Sequence, residues 1–243
     1  MNQYDTTLLE KGMDTYSISL TDRQICQFLT YYELLIEWNS VMNLTGITEY
    51  EEVVTKHFID SLSLAGCVNL RKIGSVIDVG TGAGFPGIPL KIVFPHLKIT
   101  LLDSLKKRIC FLDEVIKKLE LADVETLHGR AEDYARPGLE REQYDLSVSR
   151  AVANLTTLAE YCLPFVRKGG FFVSYKQEKV TEELDHAEKA IRVLGGKIKE
   201  KKNFILPDSD LHRTILLIEK IKETPARFPR KAGTPSKEPL FDL

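Results

Sequence analysis

The stretch that decides the fold reads Val76-Ile77-Asp78-Val79-Gly80-Thr81-Gly82-Ala83-Gly84-Phe85-Pro86-Gly87. It begins as a short run of β-branched residues and ends in closely spaced glycines, after which a helical pattern starts. This order is typical of a strand, loop and helix in an open parallel sheet, where ligands bind at the carboxyl ends of the strands. The stretch therefore predicts an α/β fold with a candidate ligand site at this loop.

Two ligand-binding patterns overlap in the loop. Gly82-x-Gly84-x-x-Gly87 fits a dinucleotide fingerprint, and Asp78-x-Gly80-x-Gly82-x-Gly84 fits an S-adenosylmethionine (SAM) loop. A carboxylate beside the loop would repel a pyrophosphate, whereas the ammonium and sulfonium groups of SAM would be attracted by it. Asp78 therefore favours SAM. A dinucleotide, and a tight turn that binds nothing, remain the alternatives.

Strands and helices alternate on both sides of this loop. Residues 1–70 predict a helical N-terminal extension, residues 71–219 the α/β domain and residues 220–243 a basic, proline-rich arm. The alternation predicts a mostly parallel seven-stranded sheet, with an antiparallel last strand because no helix separates the final two. The predicted strands are residues 75–79, 98–102, 124–127, 145–148, 170–175, 197–205 and 213–221.

Further candidate site residues end the next three strands. Asp103 could accept hydrogen bonds from both ribose hydroxyls of a nucleoside, or cap the following helix. Ala131 and Glu132 could frame an adenine, or form a solvated turn. Arg150 could bind a cofactor carboxylate, an RNA phosphate or a guanine edge, or form a surface salt bridge. We assign Arg150 a possible role in catalysis and predict no general base.

Composition limits the function classes. The 243 residues contain 33 Lys and Arg against 35 Asp and Glu, a net charge of −2, which argues against a small, wholly basic nucleic-acid binder. The charge is uneven, since residues 220–237 carry six positive residues and one negative. The four cysteines form no CxxC pair, so we predict no metal site. The chain shows neither a signal peptide nor an apolar run long enough to span a membrane, and a cytoplasmic protein is expected.

Several motifs together resemble the glucose-inhibited division protein B family, bacterial methyltransferases of 16S rRNA. The glycine loop is one of these motifs, and the resemblance extends over nearly the whole chain. Its other motifs are Trp38-Asn39, Asn43-Leu44-Thr45, Lys56-His57-Phe58-x-Asp60-Ser61, Asp103-Ser104-x-x-Lys107-Arg108, Arg130-Ala131-Glu132, Ser149-Arg150-Ala151-Val152-Ala153 and Pro229-Arg230-Lys231-x-Gly233-Thr234-Pro235. Thr81, where the family often has a smaller residue, is the one departure.

The resemblance implies a Rossmann-like SAM-dependent methyltransferase fold and methylation of N7 of a guanine in the 530 loop of 16S rRNA. It implies cofactor contacts at Gly80, Phe85, Ala131, Glu132 and Arg150, with Asp103 at the ribose. Together with the loop pattern, the complete predicted cofactor set is Asp78, Gly80, Gly82, Gly84, Phe85, Asp103, Ala131, Glu132 and Arg150.

Basic residues on both sides of the domain predict the RNA contacts. These are Lys56, Lys107, Arg108, Arg227, Arg230, Lys231 and Lys237. The expected partner is 16S rRNA or the small ribosomal subunit, bound by a monomer, with no DNA or membrane partner. The alternatives are a methyltransferase for another RNA or a small molecule, a non-catalytic RNA-binding module on the same fold, and an NAD-dependent oxidoreductase.

Overall fold

A seven-stranded sheet forms the centre of the molecule. The computed structural model describes residues 4–150, 153–177 and 181–240. In space the strands follow the order β3-β2-β1-β4-β5-β7-β6. Their bounds are β1 Ser75–Val79, β2 Lys98–Asp103, β3 Val124–His128, β4 Tyr144–Ser149, β5 Val166–Gln177, β6 Gly196–Ile205 and β7 His212–Lys220. All seven predicted strands are present.

The pairing of the strands confirms the predicted fold class. β1 is parallel to β2 and β4, β2 is parallel to β3, and β4 is parallel to β5, while β7 is antiparallel to both β5 and β6. The carboxyl ends of the first five strands therefore meet at one edge, which we call the carboxyl edge. The glycine loop follows β1 and Asp103 is the last residue of β2, so both lie at this edge.

Helices cover both faces of the sheet. Their bounds are α1 Thr7–Asp14, α2 Asp22–Met42, α3 Tyr50–Val53, α4 Asp60–Leu62, α5 Gly87–Val93, α6 Lys106–Lys118, α7 Ala131–Tyr134, α8 Leu155–Cys162, α9 Thr181–Val193 and α10 Thr234–Lys237. Side chains alternate across a strand, so Val76 packs on one face of the sheet and Ile77 on the other. This two-sided burial explains why β1 reads as a continuous apolar run. None of the helices in the described ranges is both long enough and apolar enough to cross a membrane.

The N-terminal helices share one hydrophobic core with the sheet. A capping box of Thr21 and Gln24 begins α2, and its buried residues, among them Phe28 and Tyr31, pack in the same cluster as Val76. The Tyr31 hydroxyl donates to the carbonyl of Ala83 inside the glycine loop. The region predicted as an extension therefore contacts the candidate ligand site directly.

The sequence predicts a helical stretch around residues 51–64, and the structure contains an unexpected turn there. Between α3 and α4 the chain is π-helical over Val54–Ile59. Such turns are rare and occur frequently at functional sites, and this one includes His57. Hydrophobic periodicity does not distinguish it from an ordinary helix, which is why the sequence did not reveal it.

The C-terminal segment, defined here as residues 221–240, packs against the body of the protein. The sequence predicts an extended or disordered arm. The segment is irregular apart from α10, yet Phe228 is only 3% exposed and Leu240 is buried, both among residues of the sheet and α8. Elsewhere in the chain, the sequence predicts a long helix over residues 178–194. This helix is observed as α9, and residues 178–180 lie outside the described ranges.

Candidate functional site at the carboxyl edge

The glycine loop has the backbone shape that its sequence requires. Gly82 and Gly84 have φ angles of +63° and +98°, values that residues with a Cβ rarely adopt. A Cβ on Gly84 would lie 2.7 Å from the Tyr31 hydroxyl, so this glycine permits close packing. A Cβ on Gly82 would meet no atom within 4 Å. The space beside Gly82 is therefore open, as a bound ligand would require.

Asp78 is fully buried beneath the loop. Its Oδ2 accepts hydrogen bonds from the Thr81 hydroxyl at 2.7 Å and from the Gly87 amide at 2.8 Å. Its Oδ1 is buried and has no hydrogen-bond partner in the described part of the chain. Burial raises the pKa of Asp78 to about 7. Asp78 thus holds both ends of the loop and keeps one oxygen available.

Asp103 closes the loop from the neighbouring strand. Its Oδ2 accepts from the Gly82 amide at 3.0 Å and from Arg108 Nη1 at 3.1 Å, and its Oδ1 accepts from the Leu105 amide at 2.9 Å. The carboxylate is buried, and it forms an ion pair with a guanidinium that the sequence assigned to RNA contact. Ribose hydroxyls would therefore compete with Arg108 for Asp103.

Arg150 lies beside the loop in a network that sequence reasoning missed. Its Nη1 donates to the Lys56 carbonyl and to Asp60 Oδ2, both at 2.9 Å, and its Nη2 donates to His57 Nδ1 at 3.0 Å. Its guanidinium lies 5.2 Å from the centre of the Phe85 ring. Arg213 Nε forms a second ion pair with Asp60, at 3.3 Å from Oδ1. Arg150 is 90 residues from Asp60 along the chain, so the network depends on the tertiary fold.

His57 is neutral in this network. Its ring stacks on Phe85 with centroids 4.5 Å apart. Burial and the positive charge of Arg150 lower the pKa of His57 to about 3. Its Nδ1 lies 3.0 Å from Arg150 Nη2, which can only donate, and 3.2 Å from the Lys56 carbonyl, which can only accept, while its Nε2 lies 2.9 Å from the Thr45 hydroxyl. The sequence alone assigns His57 no role in chemistry, whereas the structure places its ring beside Phe85 and Arg150, where the two rings form a wall of the candidate site.

Ala131 and Glu132 begin α7, directly beside the loop after β2. The Gly129 amide donates to the Asp103 carbonyl at 3.0 Å, which joins the two loops. Glu132 is 3% exposed, and its Oε1 accepts from the Gly233 amide at 2.8 Å. The Glu132 carboxylate is therefore bonded to the C-terminal segment. A ligand at this position would contact the backbone of Ala131 and Glu132 instead.

The predicted RNA-binding residues differ in their availability. Lys107, Lys231 and Lys237 are exposed, and Arg227 is exposed with its guanidinium 5.0 Å from the Phe228 ring centre. Lys56 forms an ion pair with Glu52. Arg230 is bound to the buried Glu160, so it is not a free surface cation. The sequence could not anticipate this, since Glu160 precedes Arg230 by 70 residues.

The carboxyl edge fits SAM on three observations. Gly82 leaves open space, Asp78 keeps a buried oxygen without a partner, and Asp103 supplies a carboxylate at the next strand. Within the described residues, no group of three or more His, Cys, Asp or Glu is placed to hold a metal ion. The motif residues Ala151 and Val152 lie outside the described ranges.

The fold and this edge define a Rossmann-like α/β protein whose candidate site fits SAM. Among solved structures, a putative transferase from Pyrococcus horikoshii matches with a TM-score of 0.51 and 14% identity, over 62% of this chain and 58% of that one. A second solved structure, described by the words "Conversion of a Disulfide Bond into a Thioacetal Group during Echinomycin Biosynthesis", matches with a TM-score of 0.50 and 15% identity, over 66% of this chain and 80% of that one. At such identities the similarity concerns the fold alone.

Sequence comparisons identify the family. The family model for rRNA small subunit methyltransferase G matches residues 24–213. Ribosomal RNA small subunit methyltransferase G from Lachnoclostridium phytofermentans is 55% identical over 98% of both chains. The protein of that name from Alkaliphilus metalliredigens is 54% identical over 96% of this chain and 98% of its own. The chain belongs to this family and is a SAM-dependent methyltransferase.

Proposed function

We propose that this protein transfers the methyl group of SAM to N7 of a guanine in the 530 loop of 16S rRNA. The observation that carries the proposal is the sequence identity of 55% and 54%, over 98% and 96% of this chain, with two relatives named ribosomal RNA small subunit methyltransferase G. The position within the rRNA rests on the family resemblance of the motifs. The glycine loop, Asp103 and the Arg150 network support the chemistry.

The residues at the carboxyl edge would hold the cofactor in a fixed orientation. Asp103 would accept hydrogen bonds from the ribose, and the backbone at Ala131 and Glu132 would meet the adenine. Gly80, Gly82 and Gly84 allow the methionine part to approach the backbone, with Asp78 beneath it. Arg150 makes three hydrogen bonds with the described residues, and its guanidinium has five donors, so further N–H groups would be available to bind the methionine carboxylate.

SAM supplies a methyl group on a positively charged sulfur, which leaves as a neutral thioether. Guanine N7 carries an in-plane lone pair and no proton, so its attack on the methyl carbon needs no general base. The N7–C bond forms as the C–S bond breaks, and the positive charge passes to the guanine ring. The protein contributes alignment and a suitable electrostatic environment.

The wall formed by Phe85 and His57 suits this charge transfer. Because the pKa of His57 is about 3, the imidazole adds no positive charge beside the reacting atoms at neutral pH. Phe85 stacks on His57 and offers a flat apolar face. A target base that has left its RNA stack can be held at such a face.

The exposed basic residues around this edge are proposed to bind RNA phosphates. Lys107, Arg227, Lys231 and Lys237 reach solvent, and Lys56 is partly exposed. Arg108 would join them once a ribose displaces it from Asp103. We further propose that the protein acts as a cytoplasmic monomer on 16S rRNA or the small subunit, and that DNA and membranes are not partners.

A methyl-transfer assay tests the proposed function. Purified protein is incubated with methyl-labelled SAM and, in parallel, with 16S rRNA, small subunits or 23S rRNA. The product is mapped by mass spectrometry of nuclease fragments and by borohydride–aniline cleavage, which reports N7-methylguanine. Label at N7 of one guanine of the 530 loop is expected. Label only in 23S rRNA, or at another atom of the base, would contradict the proposal.

A further inference from the structure

The C-terminal segment is tied to the protein through a buried carboxylate. Glu160, in α8, has no solvent exposure. Its Oε1 accepts from the Arg230 amide at 2.8 Å and from Arg230 Nε at 3.0 Å, and its Oε2 accepts from Arg230 Nη2 at 2.7 Å. A buried carboxylate left without its partner is strongly unfavourable. Detaching the segment here would leave the Glu160 carboxylate either buried without its cation or exposed to solvent. The ion pair therefore holds the segment in place.

Three residues after Arg230, the segment reaches the cofactor side of the sheet. The Gly233 amide donates to Glu132 Oε1 at 2.8 Å, and the Thr157 hydroxyl of α8 donates to the Pro235 carbonyl at 3.0 Å. Gly233 has a φ of +85°, and it precedes the single turn of α10. Arg230 and Pro235 thus fix the segment on both sides of the amide that bonds to Glu132.

Glu132 connects this anchor to the adenine side of the site. It is the second residue of α7, which follows the loop whose Gly129 amide donates to the Asp103 carbonyl. The Glu132 carboxylate is almost wholly buried, and its partner Gly233 lies in a distant part of the chain. This hydrogen bond restricts the position of the backbone at the start of α7. The anchor therefore acts on the backbone groups that are expected to meet the adenine.

We propose that Glu160 and Arg230 are positioning residues for cofactor binding. Their ion pair holds Gly233 on Glu132 and thereby fixes the start of α7 in the geometry that accepts the adenine. The proposal rests on the proposed role of Ala131 and Glu132 in the methyltransferase site. It predicts that the C-terminal segment contributes to SAM affinity although its cations were assigned to RNA.

Kinetics with substituted proteins tests the positioning role. Arg230→Ala is expected to raise the KM and the Kd for SAM about tenfold, while kcat at saturating SAM and the KM for rRNA change within about twofold. Arg230→Lys keeps a cation beside Glu160 and is expected to recover part of the affinity. Glu160→Gln keeps the shape without the charge and should fall between wild type and Arg230→Ala. Circular dichroism and the unfolding midpoint establish which variants are folded at the assay temperature.

Arg167→Ala is the matched control. It removes an ion pair with Asp145 at the opposite edge of the sheet, where Nε and Oδ1 are 2.5 Å apart. An equal rise in the Kd for SAM in this control would overturn the proposal, since general loosening would then explain the effect. Wild-type affinity in folded Arg230→Lys and Glu160→Gln would overturn it as well, even if Arg230→Ala does not fold.

Calorimetric SAM binding separates this inference from the proposed function. Glu132→Ala serves as the reference and is expected to weaken SAM binding. Failure of every protein, including wild type, to methylate rRNA would count against the proposed substrate and leave the binding comparison intact. Weak binding by Glu132→Ala but wild-type binding by both Arg230 variants would overturn the positioning role alone.

Discussion

The glycine loop and the C-terminal segment are both irregular, and both depend on a buried carboxylate. In the loop, Asp78 bonds to Gly87, nine residues further along the same motif. In the C-terminal segment, Arg230 bonds to Glu160, 70 residues earlier. The first anchor is local and so leaves a sequence signature. The second depends on the tertiary fold, which pairs Arg230 with a buried carboxylate and removes it from the exposed cations.

The net positive charge of the arm overstates the number of cations that it exposes to solvent. Of the six positive residues at positions 220–237, Lys220 is buried beside Glu142 and Arg230 is bound to Glu160. These two cations stabilise the protein's own structure. The remaining four are exposed, so the surface that we propose for RNA binding carries fewer positive charges than the sequence of the arm predicts.

The largest expected effect is on the free energy of unfolding, and it separates the buried-pair cation Arg230 from the exposed cation Arg227. Arg230→Ala leaves Glu160 buried without its partner and is expected to lower the free energy of unfolding by about 3 kcal/mol or more. Arg227→Ala, which removes an exposed guanidinium from the same segment, should change it little. Urea unfolding measures both variants, and equal stabilities would contradict the anchor.

A second prediction concerns the loop. Gly82→Ala places a methyl group in open space and is expected to weaken SAM binding about 100-fold, roughly 3 kcal/mol, because it fills the cofactor's position. Gly138→Ala is the control, since its φ of +85° and open surroundings resemble those of Gly82 away from the site. Calorimetry compares the two. Equal SAM affinity in both variants would refute the loop assignment.

A pH effect is expected at the wall of the site. The pKa of His57 is lowered from 6.5 to about 3, so its stabilising contribution is complete above pH 6.5 and is lost as the pH falls toward 3. Asp78 acts in the opposite direction, because its pKa is raised from 3.8 to about 7 and its contribution is lost as the pH rises through that range.

Comparison with His57→Gln isolates the histidine, since Asp78 is present in both proteins. The stability difference between wild type and His57→Gln should shrink by about 2 kcal/mol between pH 7 and pH 5. Urea unfolding at the two pH values provides the measurement. A difference that does not vary with pH would mean that His57 titrates normally.

The smallest effect concerns the exposed cations. Lys231→Ala is expected to reduce the salt dependence of rRNA binding by roughly one phosphate contact or less. Lys168→Ala, an exposed lysine near the start of β5, is the control and should leave the slope unchanged. Filter binding over a range of salt concentrations measures the slope. Identical slopes in all three proteins would remove Lys231 from the RNA-binding surface.

Much of the fold could be predicted because its signals are local. The seven strands, the glycine loop and Asp103 follow from apolar periodicity and from residues that end strands. The π-helical turn at Val54–Ile59 has no such signal, and it brings His57 to Arg150, 93 residues away. The structure added this network and the anchor at Glu160 because both depend on contacts between distant parts of the chain.

The 16S rRNA of a deletion strain tests the central claim most directly. We predict that N7 of a single guanine in the 530 loop loses its methyl group on deletion, and that a plasmid carrying the wild-type chain restores it. Gly82→Ala, produced at the same level, should fail to restore it. A 530-loop guanine that keeps its N7 methyl group without this protein would contradict the assignment.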